Sequence, residues 1–152
     1  MELIIPVKYR KLVDASRLAL VGTETLQAVG KTGSEEFTLK ITDNKTIQKL
    51  NHAHRGFDEP TDVLSFENEF LDPETGNLFI GDIVISLEKA QQQSAEHGNS
   101  LQAELDMLLV HGLLHLCGMD HAEAADFQEM SRLQDVILKK IDNPLLGSIH
   151  EP

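Results

Sequence analysis

HGLLHLCGMDH, residues 111–121, holds three of the chain's seven histidines at the spacing H-x3-H-x2-G-x2-H. The apolar run around it, Leu105 to Leu116, predicts a helix. At 3.6 residues per turn, His111 and His115 project from one face of it, about 6 Å apart along the axis. Two imidazoles on a rigid helix make half of a metal site. Gly118 can end that helix in the left-handed conformation, so that the chain turns back and carries His121 toward the other two. Three neutral imidazoles leave a tetrahedral ion one open position, the arrangement of a catalytic zinc rather than a closed structural one. Cys117, the single cysteine, falls between the ligands. Two places after His115 it points to a different helix face, and it reads as a buried apolar residue.

The same spacing occurs in the metzincin peptidase signature, where a glutamate follows the first histidine and serves as general base. Here that position is Gly112. The geometry of a metal site survives while the peptidase chemistry loses the group that takes the proton. Zinc remains the favoured ion, although nitrogen ligands also accept other divalent metals.

Composition bounds the rest. A chain of 152 residues with 41% hydrophobic content suits one domain, here residues 1–144, followed by a loosely held tail, 145–152. A lone cysteine fits a reducing compartment. With no run of eighteen apolar residues and no signal-peptide pattern at the N-terminus, the expectation is a cytoplasmic protein without a membrane partner. Thirteen basic against twenty-five acidic residues give a net charge of -12, which argues against general electrostatic coating of nucleic acid. A polyanionic substrate must then be met locally, by a metal and one or two arginines, or through a partner's docking surface.

In chain order, Leu3 to Val7 reads as an edge strand broken by Pro6, and Tyr9 to Val29 as an amphipathic helix. Phe37, Leu39 and Ile41 alternate in a second strand, and Asp43 caps a helix from Asn44 to about His54 whose Ile47 and Leu50 face the core. The loop 54–62 leads to a short strand, Val63 to Phe66, and Leu78 to Ile85 is a central strand. Ser86 caps a helix Leu87 to His97; Asn99 or Ser100 caps the histidine helix; a final helix spans about Ala122 to Ile141. His52, His97 and His150 read as surface groups. The fold expected is α+β, a small mixed sheet of about four strands packed with about five helices, with the metal cleft beside the His111/His115 helix.

HGLLHLCGMDH, taken with NHAHRG (51–56), TDVLSF (61–66) and GDIVIS (81–86), resembles the YbeY family of metal-dependent endoribonucleases, the rRNA maturation factors. The four blocks stand in order from Asn51 to His121. Met119, where the family usually has an aromatic residue, and an undistinctive 67–78 loop are the departures. The resemblance implies that His111, His115 and His121 bind one Zn2+ and that Arg55 is the family's functional arginine, across the cleft from the metal. A guanidinium beside a divalent ion suits the charge that builds on a phosphodiester under attack. Zinc lowers the pKa of bound water to about 7. Whether water or the RNA 2′-hydroxyl attacks is open, and Asp120, Asp82, Asp62 and His54 are the candidate bases; Asp120 equally suits orienting a ligand imidazole. Thr61 and Ser65 read as structural hydrogen-bonding groups.

The function implied is a single-strand-specific endoribonuclease acting on rRNA, in small-subunit 3′-end maturation and ribosome quality control. Its partners would be single-stranded RNA and the ribosomal small subunit or associated proteins. Two alternatives stand beside it: a metallopeptidase-like hydrolase, and a non-catalytic ribosome-assembly factor whose zinc only stabilises the fold.

Overall fold

Alternation sets the sheet. In β2 (Glu36–Thr42) Phe37, Leu39 and Ile41 are buried, and the strand pairs in parallel with both β1 (Glu2–Ile4) and β4 (Leu78–Ser86). β3 (Val63–Leu71) runs antiparallel to β4, giving the order β1-β2-β4-β3. The computed structural model describes residues 1–119 and 124–143, and the tail from 144 lies outside them. Central β4 is covered on both faces, which is why its sequence is a nearly continuous apolar run. Ile83 and Ile85 join the main core; Val84, pointing the other way, clusters with Ile47 and Leu64.

Among the described residues, five α-helices and one 3-10 segment complete the α+β fold. α1 (Ala15–Ala28), α3 (Leu87–His97) and α4 (Leu101–Leu116) pack into the main core, with α5 (Ala124–Lys140) against α4 and α1. α2 (Asn44–Arg55) covers the opposite face, through Ile47 and Leu50. Three helix starts follow from single side chains that satisfy an otherwise unpaired backbone N–H. Thr46 N donates to Asp43 Oδ1 at 2.8 Å, Lys89 N to Ser86 Oγ at 3.2 Å, and Ala103 N to Ser100 Oγ at 3.1 Å.

Four expectations need correction. The first helix does not begin at Tyr9: Val7–Leu12 is a 3-10 segment, and Asp14 caps α1 by accepting from Arg17 N at 3.0 Å. Leu20, counted on its apolar face, is exposed. β3 does not stop at Phe66. It continues to Leu71 because Phe70 and Leu71 pair with Phe79 and Leu78 across a bulge, and the Phe70 and Phe79 rings stack at 4.8 Å. His97 is more than a surface group: its Nδ1–H donates to the fully buried Glu104 carboxylate at 3.0 Å. Among the described residues, no helix is long and apolar enough to cross a membrane.

Candidate metal centre

The direction of each α4 side chain follows from what its neighbours touch. Gly112 lies against Ile83, Ser65 and Val63, and Leu116 lies against Gly81, so this face meets the sheet. Leu113 points toward Gly22 of α1. His111 and His115, one position before Gly112 and Leu116, therefore lie on the side away from α1, over the free edge at β3.

Their Nε2 atoms converge at 3.2 Å, with the rings edge to face at 75°. His111 is buried, and its Nδ1–H donates to Gln134 Oε1 of α5 at 3.1 Å. With the proton on Nδ1, the His111 Nε2 lone pair is directed at His115. Two nitrogens bound to one tetrahedral zinc at 2.0–2.1 Å stand about 3.3 Å apart, so the spacing and the fixed tautomer both fit metal ligation. Among the described residues no third His, Cys, Asp or Glu joins them. His121 and Asp120 lie outside the described residues.

Gly112 has a steric explanation. A Cβ there would stand 3.0 Å from Ile83 Cγ2, 3.2 Å from Ser65 Oγ and 3.3 Å from Val63 Cγ2. Ser65 Oγ also donates to the Gly112 carbonyl at 2.9 Å, holding helix and strand together. The position that carries glutamate in the peptidase signature thus faces the sheet, where no carboxylate fits. One turn on, Gly81 has φ +145°, and a Cβ would fall 2.2 Å from the Phe66 carbonyl. Only glycine permits that bulge beside the end of the histidine helix.

The other expected site residues are dispersed. Arg55 ends α2, exposed, with its guanidinium carbon 5.2 Å from the Phe57 ring centroid. His54 packs on the Phe66 ring at 4.6 Å. Asp82 has the parity of Val84 and points to the α2 face, opposite α4. Sheet alternation thus separates Asp82 from the histidine pair. Asp62 is buried and accepts from Val63 N at 2.8 Å and from Gln93 Nε2 at 3.3 Å, while Thr61 Oγ1 approaches it at 3.5 Å. These groups shape the turn into β3. The half-buried Cys117 packs on the core, and burial pushes its thiol pKa up, away from thiolate chemistry. Gln134 went unread in the sequence, because its contact joins two helices with no spacing rule between them.

Comparison with known proteins places this arrangement. The family model described as Endoribonuclease YbeY matches residues 7–142. The Endoribonuclease YbeY of Roseiflexus sp. is 40% identical over 139 residues, 88% of this chain and 87% of the relative. That of Dehalococcoides mccartyi is 39% identical over 155 residues, covering 93% of each. That of a Picosynechococcus species is 46% identical over 111 residues, 70% of this chain and 68% of the relative. The solution structure of TM1509 from Thermotoga maritima shares the fold, with a TM-score of 0.54 and 23% identity over 99% of this chain and 97% of that one. With the family model spanning nearly the whole chain and relatives near 40% identity bearing one name, this chain belongs to the YbeY family of endoribonucleases.

Proposed function

We propose that this endoribonuclease is zinc-dependent and specific for single strands, and that it acts in the cytoplasm on ribosomal RNA, in small-subunit 3′-end maturation and ribosome quality control. The observation that supports the metal is the convergence of His111 and His115 Nε2 at 3.2 Å with the His111 tautomer set by Gln134. His121 is the third ligand in this reading, and the neighbouring Asp120 orients an imidazole. The ribosomal substrate rests on the family resemblance.

Bound there, a zinc ion supplies Lewis acidity where charge develops on the phosphodiester. Arg55 supplies a planar, permanently charged donor set to the non-bridging oxygens. Asp82, on the far face of the sheet, serves the fold rather than proton transfer. A net charge of -12 leaves the rest of the surface poorly suited to long-range capture of RNA. Delivery through the ribosomal small subunit or a protein bound to it fits that charge.

The test is cleavage of a single-stranded RNA and of its duplex by the purified protein, His115→Ala and Arg55→Ala, with metal content and circular dichroism recorded for each. Cutting of the single strand alone, lost in both folded variants, is expected. A folded, zinc-loaded wild type that cuts nothing, together with unfolding on metal removal and a silent Arg55→Ala, would instead assign the zinc to a non-catalytic assembly factor.

A further inference from the structure

Two helices flank β3 and run the same way along it. On one face Gly112 meets Val63, Ser65 and Ile83, and four residues later Leu116 meets Gly81. On the other, Ile47 clusters with Leu64 and Val84, and seven residues later His54 packs on Phe66. Since Phe66 and Glu67 pair with Asp82 and Gly81, the C-terminal ends of α2 and α4 reach the same level of the strand. Among the described residues β3 is the edge strand of the sheet. His115 and the 54–57 turn thus sit on either side of the same free edge.

That turn is rich in planar groups. Gly56, in the left-handed conformation at φ 77°, reverses the chain so that Phe57 folds back under the Arg55 guanidinium. Phe57 is 52% exposed, and His54 lies exposed over Phe66. A single exposed aromatic is unremarkable on any protein surface. His54 with Phe66 and Arg55 with Phe57 gather planar groups on the α2 side of the β3 edge, across the strand from the histidine helix.

The charges around it decide which part of RNA it suits. Asp58, Glu59, Glu67 and Glu69, in the adjoining turn and on the adjoining strand, are exposed. They disfavour a phosphate backbone laid along the edge, whereas a nucleobase is uncharged and stacks on any π-face. Only an unpaired base offers both faces. We infer that Phe57, with the Arg55 guanidinium and the His54–Phe66 pair beside it, is a stacking ledge for an unpaired nucleobase next to the scissile phosphate. The inference rests on the nuclease reading above and adds to it the residue that selects single strands.

Phe57→Ala, Phe57→Leu and Phe57→Trp test it, by anisotropy titration of a labelled single-stranded RNA and its duplex and by separate KM and kcat. Loss of one stacked base weakens single-strand binding by about 5- to 100-fold in the alanine and leucine variants. KM rises in step, kcat stays within about twofold, duplex binding is unchanged, and tryptophan restores the wild-type value, because it has the π-face that leucine lacks. Wild-type affinity in Phe57→Leu would overturn the ledge. So would a fall in kcat at constant KM, which would make Phe57 a support for Arg55 alone. A wild type that binds the single strand but cuts neither RNA would sink the nuclease reading, while the titration would still decide the ledge.

Discussion

The two halves of α4 bury polar side chains in opposite ways. In the first turns Glu104 and Asp106, 0% and 2% exposed, are each met by a donor from another element. His97 Nδ1 stands 3.0 Å from Glu104, and Arg17 Nε stands 3.0 Å from Asp106, which also accepts from Gln102 Nε2 at 2.8 Å. Arg17 further donates to the Ile141 carbonyl, tying α1, α4 and the end of α5 together. In the last turns His111 and His115 turn the same kind of atom, a ring nitrogen, toward each other. A buried carboxylate met by a donor has its hydrogen bonding supplied from within the fold, and such a cluster calls for no ligand. Two ring nitrogens that meet can share a proton or a metal, and their 3.2 Å spacing suits the tetrahedral zinc proposed above. Burial alone does not mark a site on this helix; the identity of the partner does.

Four substitutions test that contrast. His115→Ala, in the open half, should reduce cleavage by roughly a thousandfold or more, since metal Lewis acidity is worth several kcal/mol. The fold should survive, as seen by circular dichroism. Arg17→Ala, in the closed half, should do the reverse. Leaving the Asp106 carboxylate buried without its guanidinium costs about 2–3 kcal/mol in urea unfolding, below the value for a fully buried pair because Arg17 is partly exposed. Cleavage per folded molecule should not change. Gln134→Leu sits between the two. Freed from Gln134, the His111 ring loses its fixed tautomer, and zinc affinity, read by competition with a chromogenic chelator, should fall about 10- to 100-fold.

The smallest effect is in pH. Burial raises the Asp106 pKa above the ordinary carboxylate value, and the hydrogen bonds from Arg17 and Gln102 only partly oppose it. The native state then holds that proton more tightly than the unfolded chain does. Its contribution to stability is therefore fully present below the unfolded pKa and is lost as pH rises through the folded value. Unfolding free energies across the acidic range should show this slope in the wild type and not in Asp106→Asn. An unchanged slope would remove Asp106 as its source.

Much of the fold was legible because its signals are local. The caps at Asp43 and Ser86, the Asn99 or Ser100 cap of α4 that proved to be Ser100, the alternation of Phe37, Leu39 and Ile41, and the breadth of the apolar run in α4 each lie within a few residues. The Gly118 turn was legible for the same reason, and its φ is 87°. Apolar residues continue across Leu12, so periodicity alone starts the first helix early, whereas the Asp14 cap sets where it begins. In β4, apolar residues of both parities hid which face would meet the histidines, so Asp82 read as a candidate base although it points the other way. His97–Glu104 and His111–Gln134 are contacts between helices, set by packing rather than by any spacing in the chain. Gly112 read as a missing glutamate; packed, it is the point where α4 comes nearest the sheet.

In the proposed function the last turns of α4 hold a catalytic metal while the first turns hold the fold. Chelation of the purified protein, followed by stepwise return of zinc with circular dichroism and RNA cleavage measured at each step, tests both parts at once. The chelated protein should stay folded, cut no RNA, and regain full cleavage at one equivalent of zinc, with no recovery in His115→Ala. Undiminished cleavage after complete removal of metal, or unfolding of the chain on chelation, would contradict the proposed function.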